Sequence, residues 1–331
     1  MNYDKLKMLL KDQLGEDAVI ENADMRDYTS FRAGGRAKLL VIPETLEELR
    51  YTLYMLGRAS ADCNTCTGCE SCGGCSGCES PAEEIPYMVI GNGSNILVRD
   101  GGYEGVLVRL GDGFDYANAE PDGSITAGGA TLLRTVAVAA ANAELTGFEF
   151  ASGIPGSVGG ACFMNAGAYG GEMKDVLTEV VTISKDGSVE RLVPANELEL
   201  GYRTSALEKS GDIVVKAKFM LKKGSREEIE NTMKELRRKR NEKQPVNLPS
   251  AGSFFKRPEG HFAGALIEEA GLKGLSVGGA RVSPLHAGFI VNEGGATGSD
   301  IEALMRLVQN TVEAKTGIRL LPEVRIIGRE K

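Results

Sequence analysis

The chain has no tryptophan and only two histidines among its 331 residues. His261 and His286 cannot build a metal site by themselves, and neither lies close in sequence to Ser253, the serine with the most distinctive surroundings. Composition therefore lends no support to a histidine-based metalloenzyme or to a serine hydrolase. For His286 we expect no more than a structural or substrate-facing role.

Long apolar runs are missing as well. No stretch of eighteen apolar residues occurs, so we expect no transmembrane helix and no insertion into a membrane. The N-terminal segment, MNYDKLKMLLKDQLGED, carries charges throughout and lacks the apolar core of a signal peptide. It predicts an amphipathic helix over residues 4–14 and a cytoplasmic protein.

Basic residues are in the minority, with 38 Lys and Arg against 46 Asp and Glu, which gives a net charge of −8. An acidic chain is a poor general binder of nucleic acid, so we expect no nucleic-acid partner. The remaining composition, 42% hydrophobic and 25% charged, is ordinary for a globular protein. Its length suggests two or three domains.

Glycine is abundant, at 43 positions, and it is concentrated in clusters at residues 91–95 (GNGSN), 128–129 and 153–160 (GIPGSVGG). Such turns let backbone N–H groups approach a phosphate closely and form an anion-binding concavity. Any one cluster could be an ordinary turn, but three together predict a long ligand lying against the backbone. The pattern is not a Rossmann fingerprint, because GNGSN leads into a strand rather than a helix.

Six of the seven cysteines fall in one polar segment, each three residues from the next: Cys63, Cys66, Cys69, Cys72, Cys75 and Cys78. The segment has no apolar face and predicts a surface loop. Stable disulfides are not expected in a reducing cytoplasm. We favour a thiol-rich loop without a resident metal, with zinc or an iron–sulfur cluster as the alternatives.

Hydrophobic periodicity predicts a helix over residues 131–143, another over residues 299–315 that stops at Gly317, and a last strand over residues 320–324. A basic run, residues 237–240, closes another predicted helix. Cations at a helix C-terminus interact favourably with the helix dipole, which is enough to explain the run. A uridine diphosphate group could also bind to it.

Three polar residues stand out singly. Ser253, in PSAGSFFK, is either a proton donor in a partly dry pocket or a turn serine, and the turn is favoured. Arg203, in GYRTS, is a carboxylate clamp or a surface arginine. Glu323, in LPEVR, is expected on the solvent face when its residue type alone is considered.

Taken in order, seven motifs resemble one family, the UDP-N-acetylenolpyruvoylglucosamine reductases of peptidoglycan precursor synthesis. The motifs, which span about residues 29–328, are TSFRAGGRA, GNGSNILVRDGGYEGVLVRL, GIPGSVGGACFMNAGAYGGE, GYRTS, PSAGSFFKRP, LHAGFIVN and LPEVRIIG. The resemblance implies an α+β protein with a two-part FAD-binding region of the vanillyl-alcohol-oxidase (PCMH) type and a C-terminal α+β substrate-binding domain. The chain lacks the tyrosine-bearing substrate loop of one branch and so resembles the shorter branch.

On this basis the chain is divided into three parts. Residues 1–86 are expected to form FAD-binding subdomain 1, residues 87–223 FAD-binding subdomain 2, and residues 224–331 the substrate-binding domain. The cysteine-rich insert, residues 62–80, departs from the short loop that is normal in the family, and the resemblance implies no role for it.

The resemblance also implies FAD as cofactor and NADPH as co-substrate. The residues that would hold FAD are Gly91, Asn92, Gly93, Ser94, Asn95, Gly128, Gly129, Gly153, Ile154, Pro155, Gly156, Ser157, Gly159, Asn165, Gly167 and Ala168. The implied reaction is reduction of a UDP-sugar enolpyruvyl ether, UDP-N-acetylglucosamine enolpyruvate, to UDP-N-acetylmuramate.

The family's catalytic roles carry over to residues that match its motifs. Arg203 and Glu323 match the positions that stabilise negative charge on the substrate carboxylate, and Ser253 matches the position that protonates the adjacent carbon. Glu323 would then need a raised pKa. Tyr202 and Lys256 are expected to contact the sugar nucleotide.

Two alternatives stay open. One is an FAD-dependent oxidoreductase of the same fold with another substrate, such as an alcohol or hydroxy acid; the GYRTS, GSFFKRP and LPEVRIIG motifs argue against it. The other is a redox- or metal-responsive flavin-binding protein, which only the cysteine insert supports and which the intact catalytic triplet argues against.

Overall fold

The structure of the chain, a computed structural model, describes residues 3–61 and 85–331. The six clustered cysteines, and the hypotheses about their loop and its metal, lie outside these residues. Among the described helices, none combines the length and the hydropathy needed to cross a bilayer.

The N-terminal region is a sheet covered by two helices. Its elements are α1 (Tyr3–Leu14), β1 (Val19–Asp24), β2 (Arg36–Val41), α2 (Leu46–Ala61), β3 (Tyr87–Ile90), β4 (Ile96–Val98) and β5 (Tyr103–Arg109). The strand order is β1-β2-β5-β3, with β2, β5 and β3 parallel and β1 antiparallel to β2. Helix α1 confirms the predicted N-terminal helix, and its Leu6 and Leu10 are fully buried.

The middle region is a five-stranded antiparallel sheet with a helical layer. Its elements are β6 (Ala117–Ala119), β7 (Ser124–Gly128), α3 (Leu133–Asn142), β8 (Leu145–Thr146), α4 (Val158–Met164), β9 (Gly167–Ala168), β10 (Gly171–Glu172), β11 (Leu177–Ile183), β12 (Glu190–Pro194), α5 (Leu207–Ser210), β13 (Ile213–Met220) and β14 (Lys222–Lys223). The sheet runs β12-β11-β13-β7-β6. Helix α3 confirms the helix predicted over residues 131–143.

The C-terminal region packs helices on a small sheet. Its elements are α6 (Arg226–Lys243), α7 (Ala263–Glu269), β15 (Ser276–Val277), β16 (Ala280–Val282), β17 (Ile290–Asn292), α8 (Gly298–Thr316) and β18 (Arg325–Ile327). Helix α8 confirms the predicted helix over residues 299–315 and buries Ile301, Leu304 and Val308 completely. It ends at Gly317, which takes the left-handed conformation with φ 73°.

The last strand returns to the N-terminal region. Strand β18 pairs in parallel with β4, so that Arg325 lies opposite Ile96. The predicted strand over residues 320–324 was wrong by several positions. Pro322 has no backbone N–H that could donate to a neighbouring strand. The N–H of Glu323 instead donates to the carbonyl of Phe254 at 2.8 Å. This turn places Glu323 immediately beside the GNGSN loop.

The boundaries of the proposed domains stay predictions. Helix α6 lies after the proposed boundary at residue 224 but contacts α3 and β8 of the middle region. Helix α6 therefore packs on the middle region, although it follows the proposed boundary.

Candidate active site

A cavity of about 1160 Å³ opens where the three regions meet. Ligand pockets generally measure roughly 300–1,000 Å³, so this cavity has room for more than one ligand. Its walls come from the loop after β3, from α4, from the turn before α5 and from the loop before α7.

The three glycine clusters come together in one wall of the cavity. Asn92 Nδ2 donates to the carbonyl of Pro155 at 2.8 Å, which joins the first cluster to the third. The N–H of Gly159 donates to the carbonyl of Gly129 at 2.9 Å, which joins the third cluster to the second. The joint occurrence of the clusters in the sequence thus corresponds to one continuous backbone surface.

Glycine is required where these loops touch. A Cβ at Gly91 would lie 2.5 Å from Ser157 Oγ, so any other residue here would displace the Ser157 side chain. Gly93 has φ 64°, in the left-handed region that favours glycine. A Cβ at Gly156, in contrast, would make only an ordinary contact, with Ser94 Oγ as its nearest neighbour at 3.8 Å. Bare backbone therefore faces the cavity at Gly156.

These residues fit FAD. A flavin dinucleotide needs a long cleft, unobstructed backbone N–H groups for its pyrophosphate, and little competing negative charge beside them. The loops 91–95 and 153–157 contain no acidic side chain and lie along the same cavity.

Most of the site residues proposed from the sequence line the cavity, and four lie outside its wall. The lining includes Gly91, Asn92, Gly93, Ser94, Asn95, Gly129, Ile154, Pro155, Gly156, Ser157, Gly159, Gly167, Ala168, Tyr202, Arg203, Ser253 and Glu323. The residues that the structure places outside it are Gly128, Gly153, Asn165 and Lys256.

Asn165 acts within the protein. It is fully buried in the left-handed conformation with φ 43°. Its Nδ2 donates to Glu172 Oε2 at 2.7 Å and to the carbonyl of Gly201 at 3.0 Å, and its Oδ1 accepts from the N–H of Lys174 at 3.0 Å. Asn165 therefore holds the turn that carries Tyr202 and Arg203.

Arg203 and Glu323 form an ion pair inside the cavity. Arg203 Nε donates to Glu323 Oε1 at 2.6 Å. Arg203 has φ 57° in a tight turn closed by the pairing of Gly201 with Thr204, and its guanidinium lies 5.4 Å from the centre of the Tyr202 ring. Only 13% of the Glu323 side chain is exposed, so the solvent-facing position expected from its residue type was wrong.

Burial raises the pKa of the Glu323 carboxyl. Desolvation raises the pKa of this carboxyl above its ordinary value of 4.5, and this effect outweighs the opposing charges of Arg203 and Lys256. The raised pKa that the family resemblance implies is therefore present. Lys256, although outside the cavity wall, contributes a positive charge that acts on this carboxyl.

Ser253 is brought beside Glu323 by pairing between two loops. The N–H of Lys256 donates to the carbonyl of Leu321 at 2.8 Å, and Phe255 forms a bridge with Pro322. Ser253 Oγ makes a long hydrogen bond, 3.4 Å, to the carbonyl of Phe255. A hydroxyl held this loosely is free to turn toward a bound molecule.

His286 lines the same part of the cavity, a position compatible with the structural or substrate-facing role expected for it. Its Nδ1 accepts from the N–H of Gly288 at 3.1 Å, so the proton of the neutral ring lies on Nε2. Burial lowers the pKa of His286, which favours that neutral form.

Sequence reasoning missed several cavity residues. Arg257 lies 3.9 Å over the ring of Phe262, and its N–H donates to Tyr202 Oη at 3.1 Å. Arg325 pairs with Glu208 and lies 4.6 Å over the ring of Phe163. The available indication for Arg325 was its spacing two residues after Glu323, which places both on one side of an extended segment.

The arrangement can stabilise negative charge and deliver a proton. A guanidinium, a carboxyl with a raised pKa and a loosely bonded hydroxyl converge on one cavity. Preorganised donors of this kind act most strongly where water is excluded. In the described ranges 3–61 and 85–331, no cluster of three His, Cys, Asp or Glu side chains could hold a metal ion.

Comparison with protein families gives two matches. Residues 244–327 match the family model described as UDP-N-acetylenolpyruvoylglucosamine reductase, C-terminal domain. Residues 78–192 match an FAD binding domain model.

Individual relatives agree over the whole chain. Proteins named UDP-N-acetylenolpyruvoylglucosamine reductase from Clostridium botulinum strains Eklund 17B and Alaska E43 are 46% and 45% identical, and the alignments cover 100% of each chain. The crystal structure of UDP-N-acetylenolpyruvylglucosamine reductase from Thermus caldophilus is 37% identical. It covers 94% of this chain and 98% of its own, with a TM-score of 0.74.

Proposed function

The chain belongs to the UDP-N-acetylenolpyruvoylglucosamine reductase family of FAD-binding oxidoreductases, and from this premise we propose that it reduces UDP-N-acetylglucosamine enolpyruvate to UDP-N-acetylmuramate with electrons from NADPH. The site would then serve cytoplasmic synthesis of a peptidoglycan precursor. The observation that carries the proposal is the Arg203–Glu323 pair, partly buried in the cavity beside Ser253.

The reaction adds one hydride and one proton across a carbon–carbon double bond. FAD, when bound against the loops 91–95 and 153–157, would supply hydride for the terminal vinyl carbon, with NADPH as the electron source. The electron pair of the double bond then moves toward the substrate carboxylate. The protein must stabilise that charge and return a proton to the adjacent carbon.

Arg203 binds the substrate carboxylate as the charge grows. Its guanidinium presents paired N–H donors that match a carboxylate in one plane. The positive-φ turn and the Asn165 hydrogen bond to Gly201 hold the guanidinium in place before substrate arrives. This preorganisation lowers the reorganisation needed in the transition state.

Glu323 adds a hydrogen bond when it is protonated. Burial raises its pKa, so this carboxyl takes up a proton at higher pH than an exposed glutamate would. The protonated form can donate to a developing oxyanion, whereas a carboxylate would repel it. Ser253 Oγ supplies the proton to the carbon next to the carboxylate. A serine hydroxyl is a weak acid, but the carbanionic carbon is strongly basic and the hydroxyl is positioned beside it. Together these two factors make the proton transfer feasible.

Tyr202 and Lys256 are proposed to contact the sugar nucleotide. Tyr202 is 55% exposed at the cavity and accepts a hydrogen bond from Arg257. Lys256 lies near enough to influence Glu323, although it is outside the cavity wall.

The oxidase alternative is disfavoured by the same site. An alcohol or hydroxy-acid oxidase needs a base to take a proton from its substrate. The Nδ1 lone pair of His286 already accepts from the N–H of Gly288, so the neutral ring has no free nitrogen to take a proton, and Glu323 is engaged by Arg203. A site that supplies protons and positive charge suits a reductase better.

Anaerobic flavin spectroscopy on the purified FAD-loaded protein tests the proposal. NADPH should bleach the flavin absorbance, and UDP-N-acetylglucosamine enolpyruvate should restore it with formation of UDP-N-acetylmuramate. Restoration by UDP-N-acetylglucosamine, which lacks the double bond, should not occur. A flavin that the enolpyruvyl substrate leaves bleached would reject the proposed reaction.

A further inference from the structure

A second cavity, of about 690 Å³, is lined by the N-terminal and C-terminal regions and shares no lining residue with the active-site cavity. Its walls come from β1 and β2, from the loop between them, and from the loops after β4 and before α8. We call it the basic pocket because five cationic residues lie in its wall: Arg26, Arg32, Arg36, Lys38 and Lys331.

The three acidic residues in the wall of the basic pocket are engaged within the protein. Asp24 accepts from Arg26 Nε at 2.8 Å. Glu104 forms an ion pair with Arg329 at 2.9 Å. Asp100 accepts from the first two backbone N–H groups of α8 at 2.7 and 2.9 Å. The negative charge in the wall is therefore largely used by groups other than the remaining cations.

Arg32 and Arg36 have no acidic partner in the part of the chain that the structure describes. Arg36 lies opposite Asp24 in the β1–β2 ladder, but Arg26 already binds that carboxylate. Both arginines are exposed, and they lie together in a chain whose net charge is −8. A local excess of cations on an acidic protein attracts anions, so these two guanidinium groups are available to an anion from solution.

The backbone that carries Arg32 is fixed in an unusual conformation. Arg32 has φ 50°, in the left-handed region. The buried Asn292 donates through Nδ2 to the carbonyls of Phe31 and Arg32 at 3.0 and 3.2 Å, and its Oδ1 accepts from the N–H of Ala296 at 3.1 Å. Asn292 thus ties together two walls of the basic pocket. Binding groups that are held in place before a ligand arrives lose less entropy when it binds.

The lining of the basic pocket indicates the class of anion. Among its described lining residues none is aromatic, so the wall offers no stacking surface to a nucleobase. Each guanidinium presents paired N–H donors that match a carboxylate or a phosphate. Two such groups in a polar pocket favour a small anion with two or more negative charges, of which pyrophosphate and citrate are examples.

The segment that carries Arg32 also supports the glycine loop 91–95, which is proposed to hold FAD. The N–H of Ser30 donates to the carbonyl of Gly93 at 3.1 Å. A side chain at Gly93 would collide with the carbonyl of Tyr28, so the two segments are in direct contact. Residues 28–36 therefore touch the proposed FAD-binding loop at one end and the basic pocket at the other.

We propose that the basic pocket binds a small anion with two or more negative charges through Arg32 and Arg36, and that this anion stabilises the loop 91–95 and slows the release of FAD. The pocket lies outside the active-site cavity, so the inference does not depend on the proposed reaction. Phosphate-bearing anions and polycarboxylates share this chemistry, and the experiment separates them.

The test uses the FAD-loaded protein and isothermal titration calorimetry with sodium pyrophosphate and, separately, sodium citrate, at an ionic strength held constant with NaCl. The variants are Arg36→Ala and Arg32→Asn, since asparagine tolerates the left-handed conformation. Arg191→Ala is the matched control, because Arg191 is an exposed arginine of β12 outside both cavities. Melting temperatures check that each variant is folded. Flavin fluorescence after dilution measures the rate of FAD release with and without the anion.

We expect saturable binding that is about tenfold weaker in Arg36→Ala and in Arg32→Asn than in the parent, the scale of one charge-assisted contact. Arg191→Ala should bind as the parent does. The bound anion should slow FAD release about fivefold, as expected for modest coupling between two sites, and Arg36→Ala should lose this effect. Tighter binding of pyrophosphate identifies a phosphate-bearing ligand, and tighter binding of citrate identifies a polycarboxylate.

The site would be overturned by the absence of saturable binding of either anion, or by equal affinities in Arg36→Ala, Arg32→Asn and Arg191→Ala. Binding that Arg203→Ala abolishes and Arg36→Ala leaves unchanged would place the anion in the active-site cavity and would also reject the basic pocket. Binding that depends on Arg36 but leaves the rate of FAD release unchanged would overturn the coupling to the loop 91–95.

Discussion

Arg203 Nε lies 2.6 Å from Glu323 Oε1, although 120 residues separate them in the chain. Arg203 belongs to the turn that precedes α5, and Glu323 to the turn that precedes β18. The pair therefore exists only when the C-terminal region is folded against the middle region. Chemistry at this pair therefore requires that the two regions are assembled.

Ser253→Ala should separate the two halves of the catalytic cycle. Flavin reduction by NADPH needs no proton from Ser253, so its rate should stay close to that of the parent. Reoxidation by the enolpyruvyl substrate should slow by roughly 100-fold or more, as expected for loss of a positioned acid. Anaerobic stopped-flow absorbance measures both rates.

Ser253→Thr is the control for that experiment, because it keeps the hydroxyl. Equal slowing of both half-reactions in Ser253→Ala would show that the serine has a structural role and would remove it from the mechanism.

Glu323→Gln should impair reoxidation less than Glu323→Ala. An amide keeps a hydrogen-bond donor in the place of the neutral carboxyl, whereas alanine leaves Arg203 without its buried partner. We expect the Gln variant to stay within about tenfold of the parent and the Ala variant to fall roughly 100-fold. Equal losses in the two variants would contradict a protonated Glu323.

The pH dependence of reoxidation follows from the same carboxyl. Its pKa is raised above 4.5 in the folded protein, so the proton is retained to higher pH than in the unfolded chain. The rate should fall as pH rises through the raised pKa, and Glu323→Gln should lack this decline. The free energy of unfolding should also decrease as pH rises from 4.5 through that pKa, because the folded state binds more protons there.

Asn165→Ala should lower the stability of the protein and impair the Arg203 turn. The substitution removes both hydrogen bonds donated by Nδ2 and the one accepted by Oδ1, and it places alanine at φ 43°, which disfavours most residues. We expect a loss of about 2 kcal/mol or more in the free energy of unfolding. Urea denaturation measures it.

Asn118→Ala supplies the comparison, since Asn118 is an exposed residue of β6. It should change stability by less than about 0.5 kcal/mol. An Asn165→Ala protein as stable as Asn118→Ala would show that Asn165 does not hold the turn.

Replacing residues 62–80 with a short Gly-Ser loop should leave flavin content and substrate-dependent NADPH oxidation within a few-fold of the parent. Every described residue that lines the cavity lies at or after Tyr87. Loss of turnover in this variant would give the insert a role in catalysis. Metal analysis of the anaerobically purified parent decides its content, and about one equivalent of zinc or several of iron would contradict a metal-free loop.

Local features of the site could be predicted from the sequence because each depends on a short segment. The glycine clusters can be recognised from adjacent residues in the sequence. Their contacts depend on the absence of side chains at Gly91 and Gly93. Helix α8 likewise follows from its apolar periodicity and its stop at Gly317.

Features that depend on distant parts of the chain were not predictable in this way. Glu323 is buried because Phe255 pairs with Pro322 and Arg203 arrives from another region. The displacement of the last strand to β18 has the same origin, since its partner is β4 of the N-terminal region. Family resemblance supplied the role of Glu323, whereas its residue type alone indicated the surface.

Steady-state NADPH oxidation with mass analysis of the product tests most directly whether this cavity reduces an enolpyruvyl sugar nucleotide. We expect rapid oxidation only when UDP-N-acetylglucosamine enolpyruvate is present, with a product heavier than this substrate by two hydrogens. NADPH oxidation at the same rate without that substrate, or an enolpyruvyl compound of unchanged mass, would contradict it.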